Sequence, residues 1–577
     1  MTSKRIFAYA LAAFSGLALT VTPHKAEAVD YVQSPPLSKV VTSGVRDCRV
    51  SDEFTLPLIT WGADIVTIHA NGGNTRTQGG SLFDQAGLEI TLQREDTFTR
   101  QVGNYMGCAS PFLRATAGMA NLAADVTEQD PRSAMQGLYQ HSWSNGGDAL
   151  VVKSGIRRPA DLRGKTIAVQ AYGPHVDYLM TVLTDAGVSP SDVKVKWVRD
   201  LVGLSGSTPG AALAEDSSID AAMVIIPDAL ALTSDGTVGT GSEGSVRGAS
   251  ILLSTRSANR VIADLYLARS DWLKANPQAA EKMVSALLKA EEEVRQIMRS
   301  GGPEKQRLMR AAARILLDAE DATADAEALW ADAETVGWDG NTRFFADPNN
   351  PRGFKRLNSD IQAAYQRLAL ISRSRTIADP GLDWNRLKAG LAALPRAETN
   401  RFDADEVARL VQRRKAQGVE DDGTLFSFEV FFKPNQNEFP PELYRTQFER
   451  VVDLATTYGG AIISVEGHSD PLGFLRAKRG GQSPMVLTQK AQAGRNLSLA
   501  RANAVRDSIV KMASGNGVLL DPSQFTTIGL GFTDPATGMC GSDPCAPKSE
   551  DEWRSNMRVS FKIIQVEAEA EVFRPLD

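Results

Sequence analysis

Two periodicities alternate along most of this chain. Short apolar runs at 56–61, 88–92, 149–153, 166–169, 193–198 and 221–226 are bounded by Gly, Pro, Asn and Asp and read as strands. Between and after them, 174–186 and 271–298 place apolar residues at helical spacing. Strands alternating with helices predict an α/β body with a mainly parallel sheet covered on both faces. Such sheets bind ligands at the carboxyl ends of their strands, so the loops there carry the candidate site.

Four of those loops stand out: Thr60-Trp61-Gly62-Ala63-Asp64, Trp143-Ser144-Asn145-Gly146-Gly147-Asp148, Gln170-Ala171-Tyr172-Gly173-Pro174-His175 and Ile226-Pro227-Asp228. Gly173-Pro174 ahead of a helix leaves backbone N–H groups facing a cleft, a grip for an anion or amide. Trp61, Trp143 and Tyr172 suit stacking on a ligand, and Asp64, Asp148 and Asp228 suit an amine or cation. Each Trp serves equally in the core of a lobe, and each Asp equally as a cap or turn. Three acids against few loop bases lean towards a neutral or cationic ligand.

The pattern changes after 423. Ser427-Phe428-Glu429-Val430-Phe431-Phe432 reads as a strand, 442–458 as a helix, and 461–465 as a buried strand that ends in Glu466-Gly467-His468-Ser469-Asp470-Pro471. Leu499, Ala502, Val505 and Ile509 then recur at helical spacing from Ser498, which predicts Arg501 in a first helical turn. Free N–H groups and a guanidinium there would grip a carboxylate, and Asp470 would take an ammonium. One acid and one base suit a ligand bearing both charges.

Composition narrows the setting. Residues 1–28 read as an export signal: Lys4 and Arg5, then an apolar 6–21, then Ala26-Glu27-Ala28 as a cleavage site. No apolar run reaches the roughly 18–20 residues of a spanning helix. Cleavage takes the formal charge from −6 to −8, and a mildly acidic chain without a basic block argues against nucleic acid. The mature protein is expected to be exported to the periplasm. Four Cys in an oxidising compartment suggest disulfides. Cys540 and Cys545 bracket a four-residue loop and are expected to pair, leaving Cys48 with Cys108, either bonded or as two buried thiols. His69, His141 and His175 would have to converge to build a metal or catalytic centre. No nucleophile elbow, H-E-x-x-H or phosphate loop accompanies them, so neither an enzyme, a cofactor nor a metal is expected.

Two resemblances sharpen this. Ser154-Gly155-Ile156-Arg157-Arg158-Pro159-Ala160-Asp161-Leu162-Arg163-Gly164-Lys165-Thr166-Ile167-Ala168-Val169, with Asp220-Ala221-Ala222-Met223-Val224 and the region of Trp338, Arg343-Phe344-Phe345 and Tyr365, is similar to periplasmic solute-binding proteins of the nitrate, sulfonate and taurine type. That implies a type 2 periplasmic-binding-protein fold: two α/β lobes joined by two crossing strands, closing by a hinge on an unknown small solute and serving an inner-membrane ABC permease. Trp61, Gly62, Asp64, Trp143, Asp148, Gln170, Gly173, His175 and Asp228 are the candidate solute residues. From about 425 to 566 the chain resembles the OmpA-like peptidoglycan-binding domain, through Pro434-Asn435-Gln436-Asn437, Gly467-His468-Ser469-Asp470, Leu497-Ser498-Leu499-Ala500-Arg501-Ala502, Thr527-Ile528-Gly529-Leu530-Gly531 and Asn556-Met557-Arg558-Val559.

The second resemblance implies an α+β domain of βαβαββ order that binds the diaminopimelate stem of peptidoglycan. Asp470 would take the ammonium and Arg501 the carboxylate, with Arg558, Asn437 and Asn496 around them. Gly494 stands where that family has an Asn, and the connection from Asp470 to Arg501 is long. The expected organisation is a signal peptide (1–28), an N-terminal segment (29–50), a two-lobed domain (51–400), a helical linker (401–423) and a terminal domain (424–577). A wall tether whose upper domain docks a protein partner is the other function consistent with these residues.

Overall fold

The computed structural model describes residues 29–48, 53–203, 206–242, 244–391 and 424–564, with isolated positions between 402 and 414. The export signal at 1–28 and most of the helical linker expected at 401–423 lie outside the described residues.

The first lobe holds a four-stranded sheet in the order Ala333–Thr335, Met135–Ser144, Ala263–Arg269, Phe112–Thr116, beside the parallel pair Glu53–Leu58 and Glu89–Arg94. The second lobe holds six strands in the order Tyr31–Val32, Lys194–Val198, Thr166–Gln170, Ala221–Ile225, Asp148–Val152, Ser250–Ser254. The sheets are not mainly parallel, as the alternation predicted. Only Thr166–Gln170 runs parallel to both neighbours, and the first lobe's four-stranded sheet is antiparallel throughout. Of the strands that carry the chain between lobes, Asp148–Val152 runs against both its neighbours, Ala221–Ile225 and Ser250–Ser254. Side chains of Asp148–Val152 alternate between two cores, Leu150 and Val152 in the larger, Ala149 and Val151 in the smaller.

Two segments cross between the lobes, 145–147 and 255–262. A third connection comes from the N-terminal segment. Tyr31–Val32 pairs with Lys194–Val198 of the second lobe. The chain then reaches the first lobe, where Ser38 Oγ donates to Asp125 and Cys48 is disulfide-bonded to Cys108. The Ala/Asp/Glu-rich run at 318–334 holds one helix, Thr323–Ala331, followed by the edge strand Ala333–Thr335.

The terminal domain runs Thr424–Phe431, Arg445–Thr457, Ile462–His468, Pro484–Gly515, Phe525–Gly531, Arg558–Ile564, with the sheet order Thr424–Phe431, Arg558–Ile564, Ile462–His468, Phe525–Gly531. The long connection after Asp470 holds a helix of its own, Leu472–Arg479. Cys540 is disulfide-bonded to Cys545 in a small hairpin. This domain packs on the back of the two-lobed body. Gly460 N–H donates to the Ser257 carbonyl and Arg260 N–H to that of Thr457, each at 3.2 Å. Asp185 of the second lobe accepts from Arg450 (2.7 Å) and Tyr458 (2.9 Å), and Arg356 of the first lobe pairs with Asp453 at 2.8 Å. Among the described residues no helix is long and apolar enough to cross a membrane.

Candidate functional site

A cleft of about 1740 Å³ opens between the lobes. Its base is the junction of the crossing segments. Thr255 Oγ1 accepts from Gly146 N–H (3.0 Å) and Asp148 N–H (3.1 Å), and Asn145 N–H donates to the Asp332 carbonyl at 2.8 Å. Three stretches distant in sequence are thereby held together.

Of the residues expected there, Trp61, Asp148, Gln170 and Gly173 line the cleft, together with Tyr172. Trp61 Nε1–H donates to Ser142 Oγ at 3.0 Å, which fixes the indole. Asp148 accepts from Ser144 Oγ at 2.6 Å, and its other oxygen lies 2.7 Å from His175 Nε2. Tyr172 holds a left-handed φ of 60° and donates through its hydroxyl to the Pro35 carbonyl, anchoring the N-terminal segment across one side of the cleft.

Five candidates are not at the surface of the cleft. Asp64 opens the helix Asp64–Ala70 pointing inward, where the fully buried Arg114 binds it (2.8 Å) and Asp264 (3.1 Å). Trp143 lies on the face of its strand opposite Ser142 and Ser144, packed 5.8 Å from the Phe344 ring, as pleat alternation requires. Gly62 admits close packing: a Cβ there would stand 1.9 Å from the Leu329 carbonyl oxygen. His175 is buried behind Asp148. Asp228 turns towards the helix Pro209–Glu215, and burial raises its carboxyl, with His175 opposing. The three histidines do not converge. His69 pairs with Glu293 at the surface, while His141 is packed edge-on between Tyr139 and Tyr266 and held neutral by burial and Arg114.

Two cleft residues had no signal of their own in the sequence. Arg256 follows the strand Ser250–Ser254, whose short apolar run resembles many others, and Asp332 sits in the Ala/Asp/Glu-rich run at 318–334, one acid among several. Both line the cleft.

In the terminal domain Arg501 is not in a first turn. Its helix begins at Pro484, capped by Ser483, and Arg501 lies in the middle, so no free helix N–H groups accompany it. Its guanidinium instead donates to three carbonyls, Gln436 (2.9 Å), His468 (3.0 Å) and Lys433 (3.1 Å). Burial lowers it to about 10, against the attraction of Asp470. Asp470 accepts from Leu472 N–H at 3.0 Å and forms no ion pair with Arg501. Gly467 lets this helix approach the strand end, since a Cβ there would meet the Ser498 carbonyl oxygen at 1.8 Å. At Gly494 a side chain would meet Ser469 Oγ at 2.9 Å and the Phe532 ring at 3.3 Å, so the missing Asn could not be restored without repacking. Asn437 and Asn496 are exposed, and Arg558 Nε lies 2.8 Å from Glu429. Glu466, His468 and Asp534 bring ligand atoms within 4.8 Å of one another. His468, however, has Nδ1 on the Asp534 carbonyl (2.9 Å) and Nε2 on Ser560 (3.3 Å).

Residues 82–296 match the family model described as NMT1/THI5 like. No curated protein matches the chain. Similar solved structures include the alkanesulfonate-binding protein of Xanthomonas axonopodis pv. citri bound to MOPS, at 14% identity over 56% of this chain and 95% of that one, TM-score 0.38. The periplasmic aliphatic sulphonate-binding protein of Escherichia coli is similar at 11% identity, over 61% and 96%, TM-score 0.39. The periplasmic nitrate-binding protein of Synechocystis is similar at 13% identity, over 60% and 90%, TM-score 0.40.

Proposed function

We propose that the two-lobed body captures a small solute in the interlobe cleft, in the periplasm, for an inner-membrane ABC permease, and that the terminal domain holds the protein to peptidoglycan through diaminopimelate. The cleft carries the first part. Its 1740 Å³ exceeds the roughly 300–1,000 Å³ of a small-molecule site, so the lobes would have to close on a solute that size. Val40 beside the first lobe and Val202 and Leu230 on the second are exposed at its edges, where closure would bury them. The match of residues 82–296 to a family model, and the 154–169 motif, support the same reading. Native mass spectrometry of protein purified from its own periplasm should find a small molecule bound stoichiometrically; ligand-free protein in every preparation would count against capture.

Support for wall attachment is narrower: an acid and a base, Asp470 and Arg501, close enough to attract yet not paired. Asp470→Asn is the clean perturbation, because its carboxylate makes one local hydrogen bond. Arg501→Ala would also release three carbonyls and loosen the 433–436 loop. Loss of co-sedimentation with purified sacculi by D470N, with an unchanged melting temperature, is expected. Full retention would remove Asp470 from the site.

A further inference from the structure

The base of the cleft carries a charge arrangement that selects a class of solute. Gly146 has φ 111°, open to glycine, and lies in the pinned turn between the lobes. Around the point where its Cβ would stand, Arg256 Nη2 and Asp332 Oδ1 each lie 3.4 Å away, and Arg256 Nε lies 3.6 Å away. The two side chains form no ion pair with each other, and among the described residues neither has a hydrogen-bond partner. Beside them, a Cβ on Gly147 would meet the Trp61 ring at 2.7 Å and Asp332 Cβ at 3.3 Å. Two adjacent glycines thus keep an acid, a base and a fixed indole around one small space at the hinge. Asp148, the neighbouring acid, already has both oxygens engaged by His175 and Ser144.

A simple anion placed there would meet Arg256 but also the Asp332 carboxylate, and a simple cation would meet the reverse. A molecule with both charges satisfies both groups, each by a hydrogen bond in which donor and acceptor are both charged. Resting on the reading of the cleft as a solute site, we propose that the solute is a small amino-acid-like zwitterion. Its anionic group takes Arg256, its ammonium takes Asp332, and its short carbon chain lies over Gly146 against the Trp61 ring. Since both protein groups approach one Cβ-sized point, the ligand charges are separated by about one to three carbons. Burial, with Asp148 adding and Arg256 opposing, raises the Asp332 carboxyl to about 7, a state that a bound ammonium would reverse.

The test is calorimetric titration of the mature chain with glycine, β-alanine, γ-aminobutyrate, propionate, propylamine, nitrate and ethanesulfonate. At least one of the three zwitterions should bind about tenfold or more tighter than propionate and propylamine. Arg256→Gln should erase its advantage over propylamine, and Asp332→Asn its advantage over propionate, with no drop in melting temperature because both side chains are unpartnered. Equal binding of the single-charge analogues, or variants that bind like the parent, would overturn the proposal. Binding of nitrate or ethanesulfonate with no response to the zwitterions would overturn it while leaving the cleft a solute site. No response to any probe, together with no co-purified molecule, would overturn both.

Discussion

Replacing Gly460 by alanine tests how the terminal domain is held to the two-lobed body. A methyl group there would stand 1.8 Å from the Arg256 carbonyl oxygen and 3.1 Å from Ser257 Cα, so the two backbones must separate. The three nearest atoms all belong to residues 256–257, and Gly460 is not in the left-handed region, so the substitution strains nothing within its own domain. Separation removes the hydrogen bonds Gly460 N–H to Ser257 and Arg260 N–H to Thr457, both 3.2 Å. Each contributes about 1 kcal/mol, and the overlap adds about 1–3 kcal/mol. A loss of about 3–5 kcal/mol shifts the docking equilibrium by roughly a hundred- to a few thousandfold. Hydrogen exchange read by mass spectrometry should then show amides of 254–262 and 455–461 exchanging faster by up to that factor, while Phe112–Thr116 and Ile462–His468 keep their protection. Unchanged protection over 254–262 would refute the steric reasoning. Equal acceleration across the terminal domain would show that the domain itself had unfolded.

Arg114→Met strands the buried carboxylates of Asp64 and Asp264 and should cost about 3–5 kcal/mol; an unshifted urea midpoint would contradict this. Asp177 is raised to about 7 by burial, Asp360 adding and Arg352 opposing. A carboxyl whose folded value exceeds its unfolded one, near 4, contributes fully below about pH 4 and loses that contribution as pH rises to 7. Asp177→Asn should therefore match the parent in stability at pH 4 and exceed it at pH 8 by about 2–4 kcal/mol, and an equal difference at both pH values in thermal melts would exclude this origin. Gly494→Asn should lower the melting temperature of the terminal domain, by about 1–3 kcal/mol of overpacking against Ser469 and Phe532; an unchanged melt would mean the Phe532 ring swings aside freely.

Strand positions were legible because a buried strand needs a run of apolar residues and little else. The runs at 166–169 and 221–226 became Thr166–Gln170 and Ala221–Ile225. Strand direction was not legible, since the same run serves either way and only the crossings decide it. Of the candidate cleft residues, those at strand ends and in the turns beside them kept their place: Trp61, Asp148, Gln170 and Gly173. Trp143 and Asp64 went to the interior, one by pleat alternation and one because a buried arginine fifty residues on needed a partner. The helix of Arg501 was read fourteen residues short because Gly494 and a run of Gln, Lys and Ala hid its apolar stripe.

The sequence by itself determined the alternating α/β body, the separate pattern after 423, and the acid and base around which the terminal domain is read, because these depend on residue type and short spacing. Tertiary structure alone decided which polar groups meet. Arg256 and Asp332 are 76 positions apart and become neighbours only because Gly146 lies between them without a side chain. The back of the hinge is likewise joined to the terminal domain through Gly460. Contacts of that kind are made by chain crossings and by missing atoms, and neither leaves a local pattern to be read.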